Sequence, residues 1–187
     1  MLRKNPSGLS PQVSEKAFID PTAIICGHVI IEENVFVGPY AVIRADEVDA
    51  DGNMEPIIIR RDSNIQDGVV IHSKSGAAVT IGQRTSIAHR SIIHGPCEVG
   101  DDVFVGFNSV IFRAHINDGC VIRHNCVIDG LDLPAKMHVP PMIHIGPDFD
   151  LSQIEQVPPD YSSFSESVVA ANHWLVEGYK KLSNELN

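Results

Sequence analysis

Basic side chains are scarce in this chain: 14 lysines and arginines stand against 24 aspartates and glutamates, for a net charge of −10. Nucleic acids and anionic membranes bind clustered cations, so neither is expected as a partner. Long apolar runs are also missing, and none reaches the roughly 18 residues of a membrane span. The opening MLRKNPSGLS has no apolar stretch behind it, which predicts no secretory leader. The four cysteines, Cys26, Cys97, Cys120 and Cys126, form no Cys-x-x-Cys pair. A cytoplasmic protein is the expectation. The 187 residues suit one domain with a terminal appendage.

What the chain does have is a period. Steps of six from Phe18 give Ile24, Ile30, Phe36 and Val42, and the series resumes at Ile59, Ile65 and Ile71. It continues through Ile81, Ile87, Ile93, Val99, Val105 and Ile111. After one five-residue step come Ile116, Ile122 and Ile128, and after another Leu133, Val139 and Ile145. A six-residue period is neither helical nor a simple strand alternation. It fits a triangular coil with three six-residue sides, each a short strand sending one apolar residue to the axis. Stacked coils about 4.8 Å apart then form parallel sheets. The expected fold is an all-β solenoid, a left-handed parallel β-helix of six to seven coils.

Two positions before each apolar residue stand Ser63, Val69, Val79, Thr85, Ser91, Cys97, Val103, Ser109, Cys120 and Cys126. All are small or β-branched, as a tight corner demands, so three of the cysteines read as small buried hydrophobes. The acidic stretch 45–56 and the short HSKSGAAVT (72–80) interrupt the period as loops. The expected organisation is a β-helix over 1–146, a linker over 147–160 and a helix over 161–187 packed on the prism. Ser163 and Glu166 give that helix a capping-box pattern. Val168, Trp174, Leu175, Tyr179 and Leu182 supply its apolar side.

Histidines break the structural monotony. His72 follows Ile71 and His94 follows Ile93, and between them lies one coil plus four loop residues. They should therefore share a face, one above the other, close enough to bind one metal ion. His89 falls two places after Ile87, on the preceding face, out of reach of that pair within a stiff prism. It can complete the site of a neighbouring chain, which predicts a homotrimer with three interfacial sites. Three imidazoles with an open fourth position is the pattern of catalytic zinc. The other reading is that these are polar residues on an exposed prism face. His124 has the position of His89 two coils on and reads as a surface residue.

The segments IRADE (43–47), RRDSNIQDGVVIH (60–72), SIAHRSIIHGP (86–96), VGDDVFVGF (99–107) and ANHWLVEGYKK (171–181) together resemble the gamma-class carbonic anhydrases, over about Pro21 to Lys181. The resemblance implies a trimer holding zinc, or alternatively iron(II) or cobalt, between subunits, and hydration of carbon dioxide to bicarbonate by metal-bound hydroxide. His72, His89 and His94 match the family's metal ligands, and Gln66 a glutamine beside the bound water. Arg44 and Asp67 match residues that tie subunits together and order the site, and Asp46 a partner of that arginine. Glu47 matches a carboxylate that handles the water's proton, and Asn172 a helix asparagine that reaches the site. The chain departs from the family's best-known members between the first two histidines, where SKSGAAVT carries no carboxylate in place of an acidic proton-shuttling loop. Proton export would then fall to Glu47 or to buffer.

Residue by residue, other roles stay open. Gln66 could be a surface amide, Arg44, Asp46 and Asp67 a structural ion-pair set, and Glu47 a solvated loop carboxylate. Two other functions also fit: a scaffold or bicarbonate-binding relative without catalysis, and a hexapeptide acyltransferase using one histidine as base.

Overall fold

The computed structural model describes residues 1–185, the side chains of Ser162, Ser183 and Asn184 excepted. Short parallel strands stack into three sheets of a left-handed β-helix with about seven turns. We call the sheets faces I, II and III; face II holds the strands Val29–Ile31, Ile57–Ile59, Val79–Ile81, Cys97–Val99, His115–Ile116 and Asp132–Leu133, and face III holds Phe18–Ile19, Phe36–Val37, Asn64–Ile65, Ser86–Ile87, Phe104–Val105, Val121–Ile122 and Met137–Val139. Face I holds the strands Ile24–Gly27, Val42–Ala45, Val70–Ser73, Ile92–Gly95, Val110–Phe112 and Val127–Asp129 in successive rungs. The axis is a column of fully buried aliphatic side chains, with Ile25, Ile43, Ile71, Ile93, Ile111 and Ile128 paired in register. Each branched residue packs on its copies above and below, so the period of six becomes a dry core.

In the first coils the sequence series begins one residue early. The axial residues there are Ile25, Ile31, Val37 and Ile43, while Ile24, Ile30 and Val42 are only partly buried. Ile24–Ile25 and Ile30–Ile31 offer an apolar residue on both sides of the sheet, so hydropathy alone cannot choose between them, and a one-residue slip exchanges the two faces. The corner rule then extends to Ala23, Val29, Val35 and Ala41, all fully buried. The coil also starts earlier than the series, at the strands Leu2–Arg3 and Gln12–Val13.

Corners are turned by residues in the left-handed backbone region, which is unusual for side chains other than glycine. Arg90, at φ 62°, is one of them. It carries the chain from the end of face III, where His89 stands, onto face I, where His94 stands. The two interruptions form neighbouring loops that clasp one another. Gly76 N–H donates to Glu47 O at 3.1 Å, and Glu55 N–H donates to Gly76 O at 2.8 Å. Gly76 has φ 71°, and a Cβ there would meet Asn53 O at 2.4 Å, so this close approach requires glycine.

Helix α1 (Pro159–Glu185) lies along face III. It begins at Pro159, a residue suited to a first helical position. Ser163 is therefore inside the helix, where its hydroxyl bonds back to Pro159 O rather than capping. The line turned to the prism runs Val168, Asn172, Val176 at four-residue steps. Asn172 and Val176 are buried, and Val168 packs with Ala88, Phe104 and Val121. Tyr179 stacks on Phe18 with ring centroids 4.8 Å apart. Trp174 (72% exposed) and Leu182 (54%) face outward, against the sequence expectation. Bulk apolar count misled there, because i, i+4 spacing sets the contact line. The expected last residues of the helix, Leu186 and Asn187, lie outside the described residues. Below the helix, Phe149, Leu151 and Ile154 cover the final rung, and Glu155–Gln156 adds an antiparallel strand to Met137–Val139. No described helix is long and apolar enough to cross a membrane.

Candidate metal centre

Strands Val70–Ser73 and Ile92–Gly95 are neighbours, and their register pairs His72 with His94. Both side chains point outward because each follows an axial isoleucine. Their ring centroids are 5.3 Å apart and their planes cross at 76°. Arg44 is the partner of His72 on the rung below, and Phe112 is the partner of His94 above.

Two carboxylates face His72. Its Nε2 lies 3.2 Å from Asp46 Oδ1 and 3.7 Å from Glu47 Oε1. Arg44 Nη1 donates to the other Asp46 oxygen at 2.8 Å, so the guanidinium orients the carboxylate that meets the imidazole. Glu47 Oε2 accepts the Ser75 N–H at 3.2 Å, and the clasp between the two loops thereby aims the side chain at His72. His94 Nδ1 lies 3.1 Å from Gly95 O. A carbonyl can only accept, so Nδ1 carries the proton and the Nε2 lone pair is left for a ligand.

Gln66, Asp67, His89 and Asn172 form a second group, at the end of face III. They line a groove of about 300 Å³ together with Leu175 and Tyr179. Gln66 is 8% exposed, and its Nε2 donates to Asn64 Oδ1 at 2.9 Å, while Asn64 Nδ2 donates to Ser86 Oγ at 2.8 Å. This buried relay fixes the amide plane of Gln66. His89 Nδ1 is 3.6 Å from Asp67 Oδ2. Asn172 Nδ2 donates to Val168 O at 2.8 Å within its own helix. That bond takes one of the two amide N–H groups and leaves the second N–H and the amide oxygen for other partners.

The nine candidate residues thus fall into two sets. Arg44, Asp46, Glu47, His72 and His94 belong to face I and its loops; Gln66, Asp67, His89 and Asn172 belong to the groove beside α1. Among the described residues, no three His, Cys, Asp or Glu of the single chain form a metal-holding group. The donor set nonetheless suits a borderline-soft divalent ion: two imidazoles stacked on one rung spacing, one with its second nitrogen already committed to a carbonyl.

His124 differs from its sequence reading. It is half-buried, accepts the Phe107 N–H at 3.0 Å and stacks on the Phe107 ring at 4.4 Å. Phe107 in turn lies 5.2 Å from His89, so it separates the two histidines. The cysteines behave as core residues. All four are free and buried, and burial pushes the Cys97 thiol up to about 12 and the Cys120 thiol up to about 11.

One feature escaped the sequence reading. The outward position just before each axial residue on face I is Val42, Val70, Ile92, Val110 and Val127, a continuous apolar column. Ile92 is 40% exposed and Val127 38%. The matching column on face II ends Thr80, Glu98, His115, Asp132. The contrast was visible in the sequence once the period was split by face. It leaves the histidine-bearing face bordered by apolar surface.

Residues 10–45 and 78–113 match the bacterial transferase hexapeptide pattern (six repeats). The chain is 34% identical over 200 residues to a carbonic anhydrase of Methanosarcina thermophila, covering 96% of this chain and 78% of that one. It is also 34% identical over 178 residues to the carboxysome assembly protein CcmM of a Nostoc species, covering 90% of this chain but only 31% of that one. A hexapeptide transferase family protein from Anaplasma phagocytophilum superposes with a TM-score of 0.80 at 24% identity, over 96% of this chain and 98% of that one, which is a likeness of fold. The chain belongs to the hexapeptide-repeat family of the gamma-class carbonic anhydrases.

Proposed function

We propose that this protein is a carbonic anhydrase that hydrates carbon dioxide reversibly at sites shared between the chains of a homotrimer. The observation that carries the reading is the rung register of His72 and His94 on an apolar-bordered face, with His89 turned to a different side of the prism. Face I of one chain would meet the His89 corner of the next, burying the Val70–Ile92–Val110 column and bringing three imidazoles together. His72 and His94 of one chain and His89 of another would hold the metal, with zinc favoured by the nitrogen donors and iron(II) or cobalt as alternatives. The ion would supply a Lewis acid that makes a water acidic near neutral pH.

The remaining residues divide the work. Gln66, held by Asn64, presents an oriented amide to a substrate oxygen. Asn172 does the same from the helix side of the groove. Glu47 is half exposed, which suits a group that takes a proton at the site and passes it to solvent or buffer. Arg44 and Asp46 order His72, and Asp67 orders His89. A cytoplasmic setting agrees with four unpaired thiols.

The match to an assembly protein and the loop 74–78 without a carboxylate support a second reading, a scaffold or bicarbonate-binding protein that does no chemistry. Stopped-flow hydration decides between them. Protein loaded with zinc, or anaerobically with iron(II), should accelerate carbon dioxide hydration, and His94→Ala should abolish the acceleration. Only the uncatalysed rate in the loaded unmodified protein would establish the scaffold.

A further inference from the structure

A rod lying on a flat flank can roll, and α1 lies on face III with unequal support. On one flank Asn172, Leu175 and Tyr179 close the groove that holds Gln66 and His89. On the other, Ser165, Val169 and His173 overhang a cavity of about 550 Å³, walled on the prism side by Arg84, Asp102 and Val121. Val121, Val169 and Ala170 line that space without closing it, so packing holds the helix less firmly on this flank than along the buried Val168–Val176 line.

His173 spans the edge of this cavity. Its Nε2 is closed off from solvent, and Asp62 Oδ1 stands 3.2 Å away, off the line of a full hydrogen bond. Asp62 is a rigid anchor. It sits at a prism corner with φ 62°, its N–H donates to Glu33 O at 3.1 Å, and its Oδ1 also accepts from Asn34 Nδ2 at 3.0 Å. Arg84 and Asp102, which face the same cavity, are already committed to each other. His173 immediately follows Asn172, so the two side chains point about 100° apart around the helix. One reaches the corner at Asp62 and the other reaches into the groove.

We propose that His173 is a positioning residue: its contact with Asp62 sets the roll of α1 and thereby holds Asn172 against Gln66 and His89. The inference rests on the carbonic anhydrase reading for its activity readout, but the latch itself has an independent one. Loss of the tie would let the helix roll toward the cavity and withdraw Asn172 from the groove. An ångström of misplacement at a reacting centre can cost about 10²-fold in rate, so a loss of about tenfold is expected from a partial roll.

The test is a double-mutant cycle with a conservative rescue. His173→Ala should lower kcat/KM about tenfold with metal content unchanged, and His173→Gln, which keeps a donor near the Nε2 position, should restore most of it. In an Asn172→Ala background, His173→Ala should cost nothing further. Additive losses, or wild-type rates in His173→Ala, overturn the proposal. Hydrogen exchange supplies the second readout: the amides of 168–176 should exchange faster in His173→Ala and in Asp62→Asn. If the unmodified protein hydrates no carbon dioxide, the functional reading fails, and exchange alone judges the latch; unchanged protection across 168–176 then overturns it.

Discussion

His94 stands directly above His72, in register on adjacent parallel strands, although a loop separates them in sequence; His89, much nearer to His94 along the chain, belongs to another face. Sequence distance and spatial distance are inverted by a single corner at Arg90. Among the described residues of one chain the three do not come together, which is why the proposed site draws on a second chain.

Complementation tests that arrangement. His89→Ala and His94→Ala homo-oligomers should each lose bound metal. Unfolded together and refolded as mixtures, they should regain a fraction of it, because mixed assemblies contain some interfaces in which both halves are intact. Metal analysis of mixed oligomers, separated by distinct affinity tags, reads the outcome. No recovery in verified mixtures would place the site within one chain.

Association should depend on the apolar column of face I. Ile92→Lys puts a charge where Val70 and Val110 flank it, and burying an unpaired ammonium in an interface is strongly unfavourable. Analytical ultracentrifugation should show the oligomer dissociating to monomers that keep their far-UV circular dichroism. An unchanged sedimentation coefficient would move the interface elsewhere.

Acid should loosen the α1 flank. Burial first, and the Arg123 charge second, hold His124 and His138 below the ordinary imidazole value, with Glu155 opposing at His138. His124 also needs its neutral form to accept the Phe107 N–H. A group depressed in the fold binds its proton more readily once unfolded. Its contribution to stability is therefore complete above the unfolded value of about 6.5 and is lost as pH falls below it toward the folded value. Melting temperature should be level between about pH 7 and 8 and fall toward pH 5. The double variant His124→Gln, His138→Gln should flatten the slope.

The axial column should be sensitive to small cavities. Ile93 is fully buried between Ile71 and Ile111. Ile93→Ala should cost about 2–5 kcal/mol in equilibrium unfolding. Thiol titration gives a parallel check on the interior: Cys97 and Cys120, pushed up to about 12 and about 11, should resist alkylation until denaturant is added.

The coil was legible because its signal is redundant: every sixth residue repeats the same choice. Legibility failed where neighbours were chemically alike. Ile24 and Ile25 differ only in which side of the strand they occupy, and that choice is made by stacking on Ile43, a contact between distant residues. The start of α1 at Pro159 lies two residues before the expected 161, and the capping-box pattern of Ser163 and Glu166 falls inside the helix, where the Ser163 hydroxyl bonds back to Pro159 O. At the site, the register of His72 over His94 could be computed from loop lengths. The Asn64–Gln66 relay and the hold of Ser75 on Glu47 could not, since both depend on the loops and corners around which the chain returns.

The strand Glu155–Gln156 runs against the direction of the strand it joins, and Phe149, Leu151 and Ile154 roof the last rung. A stack of identical coils is otherwise a filament in waiting, since each end offers the edge that the next copy could extend. Reversing one strand denies a parallel newcomer its template. At that end of face III a further parallel coil would meet a reversed strand and an apolar roof instead of a matching edge, so the same few residues that finish the core also work against axial growth there.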